Sequence, residues 1–408
     1  MRAVSGPPSR LVTADGHLID SGLMSRYLDL ILEGGGTYEV VRMDIGRRPE
    51  DTSHLELAVS APDEAVLGLI LENLMAHGAQ PRQEREAALE PSEKQATVPD
   101  EFYSTTNHPT EILHGGRWLA VSRQRMDACI VVRDGQARCV KLRDVQAGDE
   151  VVVGHEGIRV SPPGRRADRM NFAFMDNEVS SERRVELVVG RLAEEMKEVR
   201  ARHGKVVLVC GPVVIHTGGV GALGRILRAG HVSALLSGNA LGVHDAEQAL
   251  FGTSLGVDLR TGRPVHEGHK NHMRAINAIN KAGSLLAAVE QGVLTSGIFH
   301  EAVRAGVPYC LAGSIRDDGP LPDTVTDMLE AQEQYARLIE GAEMCLMMSS
   351  MLHAIGTGNM LPSTCRTVCV DINPAVVTKL ADRGSAQAVG VVTDVGLFLT
   401  LLADRLGV

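Results

Sequence analysis

The chain reads as an α/β protein in three parts, and three observations give that class. From Lys205 onward, short apolar strands alternate with segments of helical period, the pattern of a parallel sheet wound on both faces. Residues 16–80 run helix, strand, strand, helix, which suggests a small α+β module. Residues 111–160 are a series of short β-type runs broken by turns, which suggests a small β-rich subdomain. The expected division is 1–100, 101–170 and 171–408, in keeping with roughly 100–200 residues per domain.

In chain order, Leu23, Tyr27, Leu28, Leu30 and Ile31 recur at helical spacing until Gly34–Gly36 stop the helix. Residues 37–45 read as a strand, Pro49 marks a turn, 54–60 read as a second strand, and 61–78 form a helix opening on Pro62 and Asp63. That order suggests a ferredoxin- or ACT-like module, able to bind a small ligand or to pair subunits; a homo-oligomer is expected. Residues 80–100, charged and Pro-containing, read as a linker. The β runs are 118–121, 128–132, 137–142 and 150–153, with Asp134-Gly135 as a hairpin turn. A basic, Pro-containing break at 162–169 and a charged helix at 181–203 follow. Strands are then expected at 206–210, 232–236, 308–310, 344–348 and 367–370. Such a Rossmann-like sheet binds ligands outside the carboxyl ends of its strands.

Composition excludes several functions. A net charge of −10 and 3% aromatic residues leave neither a basic stripe nor stacking platforms for nucleic acid. Seven irregularly spaced cysteines suit reduced thiols in the cytoplasm, and the first ten residues lack an apolar signal core. The uncharged stretches 206–224 and 345–365 approach the length of a membrane span. Their Pro, His and Gly content makes them strand–turn–helix units instead, so no membrane association is expected. Neither a G-x-S-x-G elbow nor a Walker loop is present, so acyl and phosphoryl transfer have no support.

A literal G-x-G-x-x-G stands at Gly219, Gly221 and Gly224, but the next strand carries no acidic residue at its tip for a ribose. The better signal follows the 344–348 strand: Ser350-Met351-Leu352-His353, then Gly356 and Gly358, with Asp371 at the end of the next strand about 20 residues on. An acid there favours NAD over NADP; alternatively it caps the helix opening at Asn373-Pro374. Asp394 and Val395 open the last helix, either against an adenosine edge or as a simple N-cap. Asn239 and Ala240 follow a strand, and His244, Asp245 and Glu247 stand where a helix is expected to start. His beside a carboxylate suits proton transfer near neutral pH, although Asp245 is equally suited to capping that helix. His266, His269 and His272 with Glu267 lack the H-E-x-x-H spacing, so no metal is expected. Lys270, His272 and Arg274 suit an anionic or amino-acid substrate, and Asp317 with Asp318 suits a ribose, an amide or an ammonium group.

Taken together, SGNALGVHDAE, GHKNHMRAIN, GSIRDDGPLPDTVTDM, SSMLHAIGTGNMLPS, VCVDINP and VVTDVGLFL resemble the archaeal-type ornithine cyclodeaminase family, formerly LOR/SDH. The resemblance covers nearly the whole chain. It implies a C-terminal domain similar to deoxyhypusine synthase in fold and holding NAD. The implied contacts are Asn239, Ala240, an Asp of Asp317/Asp318, Ser350 through His353, Asp371, and Asp394 with Val395. It also implies conversion of L-ornithine to L-proline and ammonia, the hydride passing to NAD and back. Residue chemistry nominates His244 or Asp245 for proton transfer and Lys270 or Arg274 for the substrate carboxylate. The alternatives are an NAD(P)-dependent amino-acid oxidoreductase of saccharopine-dehydrogenase type, a ligand sensor with a vestigial NAD site, and a deoxyhypusine-synthase-like transferase.

Overall fold

The computed structural model describes every residue except 1–6, 20–21, 47–50, 82–84, 162–180, 259–260, 264, 267, 318, 378 and 380–387. Pro49, the basic break at 162–169, Glu267 and Asp318 therefore lie outside the described residues. The chain forms two units, Met1–Arg169 with Pro362–Thr364, and Met170–Leu361 with Cys365–Val408.

The first unit opens on β1 (Ser9–Gly16), α1 (Leu23–Glu33), β2 (Thr37–Asp44), β3 (Ser53–Ser60), α2 (Glu64–Ala76) and β4 (Gln80–Pro81). The antiparallel order β2-β3-β1-β4 is the ferredoxin-like arrangement. Along β3 the residues alternate between buried and half-buried. Leu55, Leu57 and Val59 thereby share a core with Tyr27 and Ile31 of α1 and Leu67, Ile70 and Leu74 of α2. Asp63 caps α2, its carboxylate accepting from the Val66 N–H at 2.8 Å. The flanking strands β1 and β4 were not expected. β1 buries only Val12 and Ala14, and β4 is two residues long.

Beyond it come β5 (Ala88–Pro91), β6 (Thr110–His114), β7 (Arg117–Ala120), β8 (Cys129–Arg133), β9 (Gln136–Val140), β10 (Glu150–Val153) and β11 (Ile158–Val160). They form two small sheets, β5-β10-β8-β9 and β11-β6-β7. The expected linker at 80–100 is therefore corrected: its residues 88–91 are an edge strand paired to β10. Edge strands tolerate charge and Pro, which gave this one the look of a loop. Asp134 and Gly135 turn β8 into β9 with φ of 51° and 69°, as a two-residue hairpin of primed type requires.

The second unit contains α3 (Ser181–Ala201), β12 (Lys205–Cys210), α4 (Val213–His216), α5 (Val220–Arg228), β13 (Ala234–Gly238), α6 (Asn239–Phe251), β14 (Thr253–Ser254), β15 (Val257–Asp258), α7 (Asn271–Ala282), α8 (Leu285–Glu290) and α9 (Ile298–Arg304). It continues with β16 (Tyr309–Ala312), β17 (Thr324–Val325), α10 (Met328–Ile339), β18 (Ala342–Met348), α11 (Met351–Gly358), β19 (Arg366–Asp371), β20 (Ala388–Val392) and α12 (Val395–Leu406). Seven parallel strands lie in the order β17-β16-β13-β12-β18-β19-β20. The chain starts at central β12, builds outward to β17, then returns to the other side of β12 at β18. That reversal is the switch point at which such sheets bind ligands.

Burial on both faces explains the apolar runs. Val206 and Leu208 face a core shared with α3, α5 and α12, while Val207 and Val209 face one shared with α10 and α11. The uncharged stretches 206–224 and 345–365 are strand-then-helix units, as expected. Among the described residues, no helix is long and apolar enough to cross a membrane.

Candidate active site

At the switch point the carboxyl ends of β12 and β18 are joined by the Gly211 N–H, which donates to the Met348 carbonyl at 2.8 Å. Ser349 then takes a left-handed backbone, φ 47°, that non-glycine residues adopt only where the surroundings enforce it. A Cβ on Gly211 would run into the Ser349 carbonyl, so the tight approach of the two strand ends requires glycine there. The Ser349 strain was not legible in the sequence, because a single serine in that conformation leaves no pattern.

Helix α11 starts immediately after this turn. Its first N–H groups have no acceptor within the helix and form an anion-binding end. Ser350 stands at the N-cap without capping it; its hydroxyl meets His353 Nδ1 at 3.1 Å instead. The His353 ring lies over the end of β13, where a Cβ on Gly238 would come within 2.6 Å of it. Burial lowers the His353 pKa, with the Asp317 carboxylate pulling the other way, so the ring is neutral at pH 7. Met351 and Leu352 are exposed beside it.

The other expected contacts line the same strand ends. Asn239 is buried, and its Oδ1 accepts from the Leu321 N–H at 3.0 Å and the Thr324 hydroxyl at 2.9 Å. Ala240 is exposed in the first turn of α6. Asp317 braces the loop after β16 by accepting from the Ser314 N–H at 2.7 Å. Asp371 ends β19, about 4.8 Å along the sheet from β18. Its Oδ1 accepts from the Asn373 N–H at 2.8 Å, so it does close the turn before the next segment. Asp394 caps α12 through the Leu397 N–H at 2.9 Å, with Val395 buried behind it. The literal glycine motif lies elsewhere: α4 separates it from β12, and Gly221 and Gly224 are inside α5, Gly224 packing towards Glu301.

A second cluster is built by α4, α6, the β14–β15 hairpin and α7. Helix α6 begins at Asn239, five residues before the expected start, because Gly238 supplies its N-cap without a side-chain signal. His244, Asp245 and Glu247 are consequently mid-helix and buried. The alternative reading of Asp245 as the cap of its own helix is corrected: it accepts from the Ile298 N–H at 2.7 Å and the Phe299 N–H at 2.9 Å, capping α9 from a distance. Burial pushes its carboxyl up to about 7 against the pull of these two donors.

Glu247 is fully buried. Its Oε1 accepts from the Thr253 hydroxyl at 2.8 Å and the Gly256 N–H at 3.0 Å, and its Oε2 from the Leu255 N–H at 3.1 Å and His272 Nδ1 at 3.3 Å. Burial alone would raise its pKa, but these donors hold it below the ordinary value. His244 lies 4.9 Å from the His216 ring and 5.1 Å from the His272 ring. Burial, with those two rings, lowers its pKa to about 4 against the opposing pull of Glu247, leaving a neutral imidazole. Ligand atoms of His244, Glu247 and His272 lie within 4.8 Å of one another, close enough to hold a cation. Four donors already occupy the Glu247 oxygens, which favours a hydrogen-bonded cluster over a metal centre. Lys270 and Arg274 are exposed one turn apart at the start of α7, Arg274 donating to Asn271 Oδ1 at 3.3 Å. The sequence did not single out His216 or Ser254, which reach this cluster only through the fold.

Comparison with known proteins matches this geometry to a family. A profile described as "Arginine dihydrolase ArgZ-like, C-terminal, Rossmann fold" matches residues 190–402. "LOR/SDH bifunctional enzyme conserved region" matches 9–108, and "Arginine dihydrolase ArgZ-like, C-terminal, first region" matches 109–189. The bifunctional arginine dihydrolase/ornithine cyclodeaminase AgrE of Nostoc sp. is 51% identical over 98% of this chain, which spans 58% of that protein's length. The ornithine cyclodeaminase of Methanocaldococcus jannaschii is 49% identical over 97% of this chain and 96% of its own. A crystal structure described as the ternary complex of AgrE with ornithine and NAD+ is 50% identical, with a TM-score of 0.54, covering 98% of this chain and 57% of that one. The chain belongs to the ornithine cyclodeaminase family, in which a LOR/SDH region precedes an ArgZ-like Rossmann domain.

Proposed function

We propose that the protein is an NAD-dependent ornithine cyclodeaminase, converting L-ornithine to L-proline and ammonia without net redox change. The observation that carries the reading is the reversal of strand order at β12 and β18, the kind of switch point that suits a dinucleotide. The α11 N-terminus offers backbone donors for a pyrophosphate, beside the strand ends that Gly211 lets come together and the His353 ring that Gly238 admits. Asp371, one strand away, suits the ribose hydroxyls, and we assign the remaining contacts to Asn239, Ala240, Asp317, Ser350 to His353, Asp394 and Val395. The AgrE complex, with ornithine and NAD+, supports both ligand assignments. Bound there, NAD+ supplies a hydride acceptor that becomes a hydride donor.

The chain's own residues must bind the substrate carboxylate, take a proton from an ammonium group and return one to departing ammonia. Lys270 and Arg274 suit the carboxylate. Neutral His244, not Asp245, suits the proton, since both Asp245 oxygens are committed to backbone donors. Seven unpaired, buried cysteines suit a reducing compartment, so we place the protein in the cytoplasm. Exposed Ile315 and Ile372 on the carboxyl edge suit burial in a homo-oligomer.

Incubation with ornithine and NAD+ tests the reaction. Proline and ammonia should form in equal amounts with no accumulation of reduced nicotinamide. Stoichiometric NADH instead would indicate a saccharopine-dehydrogenase-type oxidoreductase.

A further inference from the structure

Ser254 lies between two imidazoles. Its Oγ is 3.0 Å from His216 Nδ1 and 3.1 Å from His244 Nδ1. A hydroxyl has one proton, so it donates to one of these nitrogens and accepts from the other. The two rings are therefore held in complementary states, one with Nδ1–H and one with Nδ1 bare. Moving a proton across Ser254 exchanges those states. The three groups also differ in access: His216 is exposed at the end of α4, the helix that follows β12, whereas Ser254 and His244 are buried at 4% and 7% exposure. Past His244, the His272 ring lies at 5.1 Å, tied to the buried Glu247 carboxylate. The line thus runs from an exposed imidazole to a buried one with an anion behind it.

We propose that His216, Ser254 and His244 form a proton relay, which carries the proton removed from the substrate ammonium group and returns it to the departing ammonia. His216 begins with Nδ1–H donated to Ser254 and with Nε2 bare. One ammonium N–H bond breaks as His216 Nε2–H forms. The His216 Nδ1 proton passes to Ser254 Oγ, and the Ser254 proton passes to His244 Nδ1. His244 becomes an imidazolium only transiently, since burial and the two neighbouring rings disfavour its charge and the Glu247 carboxylate offsets only part of that cost. The reverse sequence restores an N–H bond on the leaving nitrogen, and no proton is gained or lost over the cycle. His216 is the group that meets the amine; Ser254 and His244 are positioning and relay residues acting through it. The identity of that amine rests on the cyclodeaminase reading, whereas the hydrogen-bond line does not.

The test uses the full-length enzyme and three readouts. Ser254→Ala should lower kcat about 10- to 100-fold with little change in the ornithine KM or in NAD+ affinity by calorimetry. Ser254→Thr, which keeps the hydroxyl, should recover most of the rate. His216→Ala should be partly rescued by added imidazole, as the exposed end of a relay allows. In 15N-histidine NMR spectra, His216 and His244 should show complementary Nδ1 protonation, lost in Ser254→Ala. An unchanged kcat in Ser254→Ala would overturn the relay, as would matching Nδ1 states in the two rings. Loss of activity on chelation with recovery on adding zinc would also overturn it, turning the cluster into a metal centre. Should the wild-type protein make no proline, the cyclodeaminase reading falls, and the NMR comparison still decides the relay.

Discussion

Strand β3 of the first unit and strand β12 of the second show how differently the two units use their sheets. Along β3, buried residues alternate with half-buried ones, and the open face carries His54 and Glu56 in contact with each other. Along β12, every residue after Lys205 is buried, since helices cover both faces. A sheet covered twice has no room for polar chemistry along its length, so polar groups collect where its strands end. Gly211, Gly238, Ser349, Asp371 and the turns behind them are those ends. Stability and chemistry should therefore separate: damage inside either sheet unfolds the protein, whereas damage at the strand ends of the second unit stops the reaction.

The largest test of that separation is His244→Asn. It removes a buried neutral imidazole from the second cluster, in the helix that follows β13, and kcat should fall by about 10²- to 10⁴-fold with NAD+ affinity retained. A variant with normal turnover would move the proton-transfer role elsewhere. In the first unit, Leu57→Ala should act in the opposite sense. Leu57 is 2% exposed between the two helices, and its truncation should cost about 2–5 kcal/mol. Denaturant titration should show the loss, while kcat per folded molecule stays at the wild-type value.

Asp245→Ala sharpens the comparison, because the residue stands in the second unit and both its oxygens accept backbone N–H groups. Removing it leaves the buried Ile298 and Phe299 N–H groups without their acceptor, at about 1–3 kcal/mol for each. The melting temperature should drop and the kinetic constants should hold. A selective loss of kcat with unchanged stability would restore the proton-transfer role read from sequence. Asp371→Asn should be milder: about tenfold weaker NAD+ binding, or roughly 1.4 kcal/mol, with a narrowed preference over NADP+. Unchanged affinity for both would leave Asp371 with only its turn-closing bond to Asn373.

The same contrast explains what the sequence revealed. The five expected strands of the second unit were legible because burial on both faces makes continuous apolar runs such as KVVLVC. β1 and β4 were not, since one carries two buried residues and the other is two residues long. At the strand ends, positions were legible: Ser350 and His353 follow the apolar run of β18, and Asp371 ends that of β19. Groups assembled through space were not. Asp245 meets its partners 53 and 54 residues away, and Ser254 meets His216 38 residues away. Local patterning carries no trace of such pairs.

The smallest expected effect is a difference in pH response between the units' histidines. In the first unit, His54 Nδ1 meets Asp15 Oδ1 at 2.7 Å and His54 Nε2 meets Glu56 Oε1 at 3.2 Å, and these bonds raise its pKa. A raised folded-state pKa gives stability that is complete below the unfolded value near 6.5 and is lost as pH rises through the folded value. His244 runs the other way. Its folded-state pKa of about 4 lies below the unfolded 6.5, so acidification through that interval protonates the unfolded chain first and destabilises the second unit. Denaturation followed at several pH values should thus show the His54 contribution fading towards alkaline pH and the His244 penalty growing towards acid. His54→Gln should reduce the alkaline fade without touching the acid limb, and His244→Asn should make the acid limb shallower without touching the alkaline one, the remainder of the acid limb belonging to groups such as His353 and Glu247. If either substitution changes both limbs, the titrations of the two units are linked.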